Sequence, residues 1–244
     1  SYWKYMSMRL QPTEFLTYFA DGQSWITPSA VAIRLEVCRL GPLYLPSGRL
    51  IACDPAYADD RPFAHAFPPG LYPVDVVVAH LHEHERRRWF PWWQKPVTDA
   101  RIALAAVILQ DVMPTRWEPA DIVGQPGQDT SSYSVDSASG CFMDRRAAHI
   151  IAKADTDLFT LVDCVAENPP DQPMWMDLRF RDTEPLNMIV FSAGWGDGYY
   201  ASYLGFTEQN TIARVVTDFY VLADSLIEHR ANTTISARHH HAGF

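Results

Sequence analysis

The sequence predicts an α+β fold: a single domain dominated by antiparallel β-sheet, with a helix after a central turn and a carboxyl-terminal three-stranded meander. Three observations carry this. Short stretches of alternating or continuous apolar, β-branched residues are separated by Gly, Pro and Asp turn signals along most of the chain. One segment, beginning at Asp144-Arg145, changes to helical spacing. No boundary or internal repeat divides the chain, which reads as one mixed domain, and the absence of glycine-rich nucleotide fingerprints counts against common mononucleotide hydrolases.

Residues 31 to 37 place Val31, Ile33, Leu35 and Val37 on one face and Ala, Arg and Glu between them, the pattern of a half-buried strand. Gly41-Pro42 and Pro46-Ser47-Gly48 are turn signals on either side of a short strand. Arg49 to Cys53 forms the next strand and ends at Asp54-Pro55, because proline brings no backbone donor to a ladder. After Pro68-Pro69-Gly70, Tyr72, Val74, Val76 and Val78 share a strand face. Arg101 to Leu109 has alanines that favour helix and β-branched residues that favour strand; its β-rich neighbours decide for strand.

Asp144 is placed to cap a helix beginning at Arg145, and Ala148, Ile151, Ala152, Phe159 and Val162 support one or two helical pieces through about Glu167. Prolines 169, 170 and 173 end that region. Asn187 to Trp195 reads as an apolar strand, Gly196-Asp197-Gly198 as a tight turn, and Tyr199 to Phe206 as the returning strand. Glu208-Gln209-Asn210 then turns the chain into Ile212 to Leu222, completing the expected meander, with a helix finishing near Arg230. The expected organisation is an amino-terminal extension or cap over residues 1–29, one mixed domain over 30–230, and a mobile tail over 231–244.

Composition narrows the function. With 244 residues, 48% hydrophobic and 20% charged, the chain can bury a large core. A formal net charge of −9 opposes general nucleic-acid binding, because phosphates are repelled. No apolar run reaches transmembrane length and no signal pattern stands at the amino terminus, so a soluble, cytoplasmic protein without a membrane partner is expected. The cysteines at 38, 53, 141 and 164 lack zinc-type spacing, which agrees with a reducing compartment. His80, His82 and His84 alternate and would share one strand face, but Glu85 to Arg88 beside them reads as an exposed loop; no metal site is assigned. The cofactor is left open.

The run from Ser134 to Asp144 is the most informative motif, with two carboxylates and a thiol around a turn of small residues. Cys141 would be a nucleophile if a base, cation or helix end favoured its thiolate; the leading reading is a buried structural thiol, with a ligand contact as a third. Asp136 and Asp197 are the acid–base candidates, since two carboxylates across a cleft can divide protonation and water activation. Asp54, Asp144, Trp195, Tyr200 and Asp218 are candidate substrate-binding residues. Each aspartate also has a structural alternative: a turn for Asp197, a backbone acceptor for Asp54, a helix cap for Asp144 and a sheet brace for Asp218. The leading functional reading is a small-molecule hydrolase acting on a polar or glycosidic substrate. Its rival is a noncatalytic binding or regulatory protein, with a protein partner at the aromatic segment Trp89-Phe90-Pro91-Trp92-Trp93.

Several of these pieces occur together in one known family. They are Ser47-Gly48 through Cys53-Asp54-Pro55, Pro69-Gly70-Leu71-Tyr72-Pro73-Val74, and Val135-Asp136 through Gly140-Cys141-Phe142-Met143-Asp144. Gly194-Trp195-Gly196-Asp197-Gly198-Tyr199-Tyr200 follows, then Tyr203, Gly205 and Val216-Thr217-Asp218-Phe219. In this the chain resembles a functionally uncharacterised family, the domain of unknown function 4241, over roughly residues 40–223. Ala138 stands where that family's central turn is expected to carry glycine. The resemblance implies one continuous domain and brings no reaction or cofactor with it.

Overall fold

The computed structural model describes residues 15–26, 31–58, 60–83, 98–125, 129–152, 174–180 and 185–222. Two antiparallel sheets and a helix stack as three layers. The strands are β1 (Ser24–Ile26), β2 (Val31–Leu45), β3 (Leu50–Cys53), β4 (Gly70–Glu83), β5 (Thr98–Ile108), β6 (Arg116–Pro119), β7 (Ser132–Val135), β8 (Ser139–Asp144), β9 (Trp175–Arg179), β10 (Asn187–Ser192), β11 (Gly198–Phe206) and β12 (Ile212–Asp218). The helices are α1 (Phe15–Tyr18) and α2 (Arg145–Ile151), with a 3-10 turn at Pro55–Tyr57.

The larger sheet has the order β1-β2-β4-β5-β12-β11-β6, and β7 pairs with β11 beyond the end of β6. The smaller one has the order β3-β8-β10-β9. Alternation along the smaller sheet's strands explains the layering. Leu50, Ala52, Phe142, Ile189 and Phe191 point into the core shared with the large sheet. Ile51, Cys53, Cys141, Met143, Met188 and Val190 point the other way, against Ala147, Ala148 and Ile151 of α2. A sheet covered on both faces must be apolar on both, which is why β3, β8 and β10 read as continuous apolar runs.

Most strands fall where the sequence puts them, and residues 101 to 108 are indeed strand. Gly41-Pro42 departs from expectation. It does not end a strand but lies inside the long β2, where the register with β4 shifts between Arg39 and Pro42. A bulge is where a strand tolerates a residue without an N–H. Residues 15–26, expected as an extension or cap, pack on the large sheet: β1 pairs with β2, and Phe15 is buried against Trp117 and Tyr203.

The three-stranded meander is corrected. β11 and β12 form the expected hairpin, but β10 pairs with β8 and β9 in the other sheet. Gly196-Asp197-Gly198 therefore carries the chain from the small sheet to the large one. Positive φ angles fall on Gly194 (47°) and Gly196 (102°) rather than on Gly198. Gly194 is required there, because a Cβ would stand 2.7 Å from the Phe219 carbonyl oxygen.

The helix after the central turn is α2, and Asp144 is its cap. The Asp144 carboxylate, fully buried, accepts from the Arg146 N–H (2.8 Å) and from the Ser47 N–H and hydroxyl (2.9 and 2.8 Å). One side chain thus starts the helix and ties it to the turn before β3. Any helix beyond residue 152, the helix near Arg230 and the tail fall outside the described residues. Asp60 fastens the outer face of α2 by pairing with Arg145 and His149. Hydrogen bonding to the Arg145 guanidinium, with a smaller contribution from His149, holds the Asp60 carboxyl well below the usual carboxylate range.

Asp144→Ala removes a cap and strands buried donors on Ser47. It should lower unfolding free energy by about 3 kcal/mol in urea titrations, more than a surface cap alone costs. Asp60 is ionised more readily folded than unfolded, so its contribution is present above the ordinary carboxylate pKa and fades as pH falls through its folded value. Melting temperature between roughly pH 4 and pH 2 should fall less steeply in Asp60→Asn than in the parent.

Candidate functional site

Two chain segments cross from one sheet to the other side by side. β7 in the large sheet leads into β8 in the small one; β10 in the small sheet leads back into β11 in the large one. β7 pairs with β11, and β8 with β10, so the two crossovers form a single crease. At a crease the ladder is interrupted, and the backbone donors it releases need other acceptors. Residues 136–138 and 193–197 make the two turns.

Asp54 provides most of those acceptors. Its Oδ2 accepts from the N–H groups of Asp136 and Ser137, both at 2.8 Å, and its Oδ1 from the Ser137 hydroxyl (2.6 Å) and the Ala56 N–H (2.8 Å). The last bond caps the 3-10 turn, in which Pro55 supplies the preset φ. The Ala138 N–H donates to Asp197 Oδ1 at 3.1 Å, and the Ala193 N–H donates to the Ala138 carbonyl at 2.9 Å. The two turns are clasped together. Tyr200, buried, donates its hydroxyl to the carbonyl of Gly196 (2.6 Å) and braces the second turn from beneath.

The predicted site residues thus divide. Asp136 and Asp197 meet at the crease and both are exposed. Among the described residues the Asp136 carboxylate accepts no hydrogen bond, and Asp197 gives one oxygen to the turn. Asp54 joins them at the crease, but both of its oxygens are engaged by the backbone and Ser137. Trp195 lies half-buried in the second turn with the Arg101 guanidinium 5.2 Å from its ring centre. Asp144 is at the opposite end of β8, committed to its cap. Asp218, fully buried, accepts from the Tyr220 N–H at 2.8 Å and closes the turn after β12. Tyr200 faces the core, whereas its neighbour Tyr199, on the outward face, is 58% exposed.

Cys141 is enclosed, with its thiol 3.3 Å from the Cys53 carbonyl and 3.7 Å from the Cys53 sulfur. Burial, reinforced by the adjoining Cys53 and Asp54, pushes this thiol well above its ordinary value. A protonated thiol with no route to a substrate does not attack one, so the geometry supports the structural reading of Cys141 over the nucleophilic one.

Beside the crease lies a cavity of about 140 Å³. Cys53, Asp54, Tyr57 and Arg61 line one wall, and Gln125, Tyr133 and Ser134 the other. Arg61 donates to the Gln125 amide oxygen at 2.6 Å, which joins the walls. Tyr57 is 57% exposed at the mouth. Sequence reasoning missed Tyr57, Arg61, Gln125, Ser134 and Tyr199. Only Tyr199 left a usable signal, since strand alternation with a buried Tyr200 turns it outward. The others converge from the 3-10 turn, two loops and β7.

Among the described residues no three His, Cys, Asp or Glu side chains are grouped to hold a metal ion. His80 instead meets Glu36 at 2.8 Å across β2 and β4. No described helix is long and apolar enough to cross a membrane. The segment from Trp89 to Trp93, and with it the rival reading, lies outside the described residues, as does His84.

Ala138 holds a φ of 52°, in the left-handed region that an L side chain enters at a cost of about 1–2 kcal/mol. Ala138→Gly removes that strain while giving the unfolded chain more freedom, two effects of opposite sign. The strain is the larger, and the variant should be more stable by about 0.5–1 kcal/mol in chemical denaturation. A loss of stability would show that the turn does not adopt this conformation in solution.

No curated protein and no solved structure matches this chain. The profile of one family matches residues 43–217, which contain both clasped turns, Asp54 and the cavity wall. The chain therefore belongs to the protein family of unknown function DUF4241.

Proposed function

We propose that the protein is a small-molecule hydrolase for a polar or glycosidic substrate, with Asp136 and Asp197 as its acid–base pair. One observation carries this reading. Of the acidic candidates, these two come together at one exposed place and keep carboxylate oxygens that the fold does not consume.

Asp197 is the better held, through the Ala138 N–H, and suits the base that aligns a water. Asp136 is held through its backbone by Asp54 while its side chain is free to turn, which suits a proton donor to the leaving oxygen. Arg61, Gln125 and Ser134 offer polar contacts in the adjoining cavity, and Tyr57 and Tyr199 offer exposed rings on which a sugar face can stack. A cytoplasmic location belongs to the same reading, supported by three unpaired cysteines among the described residues.

The test is a panel of chromogenic glycosides, esters and amides offered to the purified chain. Asp136→Asn and Asp197→Asn should each lower kcat/KM by about 100-fold or more, with melting temperatures near the parent's. Absence of turnover across the panel, or turnover that survives both substitutions, would overturn the assignment.

A further inference from the structure

We propose that Cys53 and Cys141 are a dithiol site that hydroperoxides convert to a cross-strand disulfide. The inference stands apart from the hydrolase reading and does not involve its acid–base pair, Asp136 and Asp197.

The two cysteines are direct partners in the antiparallel ladder between β3 and β8. Directly opposed residues in such a ladder have Cα atoms about 4.5–5.5 Å apart, inside the range that a disulfide spans. Their sulfurs are already 3.7 Å apart on the same face of the small sheet. Side-chain rotation alone can bring them to bonding distance, with both strands left in place.

Access is unequal, and this orders the chemistry. Cys53 lines the cavity beside the crease, whereas Cys141 is sealed behind it at 0% exposure. The cavity, about 140 Å³, exceeds what a hydrogen peroxide molecule or a few waters need. Cys53, as its thiolate, attacks the outer oxygen of the hydroperoxide; the S–O bond forms and the O–O bond breaks. Cys53 becomes a sulfenic acid, and the departing alkoxide or hydroxide takes up a proton. Arg61 and Tyr57, lining the same cavity, carry donors for that leaving oxygen.

The Cys141 sulfur then attacks the Cys53 sulfur. The S–S bond forms, the S–O bond breaks, and hydroxide leaves as water with the Cys141 proton. Two thiols have lost two electrons, and the hydroperoxide has been reduced to an alcohol, or to water, plus a second water. Cys141 is placed for the second step: its donation to the Cys53 carbonyl keeps its sulfur against its partner, and its proton passes to the departing hydroxide as the S–S bond forms. Resolution by a neighbour is also what spares a sulfenic acid from further oxidation.

The full-length chain is exposed to hydrogen peroxide, quenched with catalase and acid, then unfolded in excess N-ethylmaleimide. The expected product carries maleimide on two of its four cysteines and is otherwise about 2 Da lighter. Its nonreducing digest contains one peptide joining Cys53 to Cys141, and dithiothreitol restores four reactive thiols. A Cys38→Ser/Cys164→Ser variant, which keeps only the proposed pair, should give the same linked peptide. Four reactive thiols after peroxide, a bridge to Cys38 or Cys164, or Cys53 heavier by about 32 Da beside an unmodified Cys141 would each overturn the proposal.

Discussion

The Asp54 carboxylate is the contact on which the arrangement of this molecule turns. Two neighbouring segments leave one sheet and enter another at the same place, and the backbone donors of Asp136 and Ser137 have no ladder partner there. A buried donor left unpaired costs about 1–3 kcal/mol, so a crease without an internal acceptor would open to water or unravel. Asp54 answers two N–H groups and a hydroxyl at once, and spends its remaining capacity capping the 3-10 turn from which it projects. The end of β3, the start of β8 and the cavity wall are thereby fixed by one side chain. This also separates two kinds of carboxylate at the crease. Asp54 organises it, and Asp136 and Asp197 are displayed by it.

The double coverage of the small sheet is the second constraint. Its inner face fills the core with Phe142 and Phe191, whose ring centres are 5.1 Å apart, and its outer face receives α2. The strand that joins these environments, β8, is buried along its whole length. That explains the apolar character of Gly140-Cys141-Phe142-Met143: every residue in it meets protein. The polar groups follow the same logic. Asn187, nearly buried, donates to the Pro42 carbonyl and accepts from the Tyr44 N–H, which stitches β10 to the second half of β2.

Local chemistry made much of this legible in the sequence. Apolar patterning located β2 to β5 and β10 to β12 but not β1 or β6 to β9, Asp144 announced the helix, and Asp54-Pro55 announced a backbone acceptor at a strand end. What failed was the assumption that successive strands joined by a Gly-Asp-Gly turn belong together. The turn is tight, but Gly194 at positive φ sends the chain across the crease instead of back along its own strand, and no local pattern distinguishes the two outcomes. Ala138 was the informative irregularity, since an L residue at a position suited to glycine marks a turn whose shape is imposed from outside. The nearness of the turns that carry Asp136 and Asp197 depends on that crossing. The cavity depends on still more distant convergence, with Arg61 and Gln125 brought from two separate loops to Ser134 on β7.

Strand lengths have a consequence for how copies of this protein meet one another. The longest strands, β2 and β4 with 15 and 14 residues, lie inside the large sheet, while the borders are short: three residues in β1 and four each in β6, β7 and β3. Where β2 outruns β1, its free margin is obstructed. Asp21 takes the Val37 N–H, Asn187 takes the Tyr44 N–H, and Pro42 has none to give. A strand from a second molecule would find few donors in a row with which to zip. The longest ribbons of the described chain are thus denied a template for edge-to-edge growth.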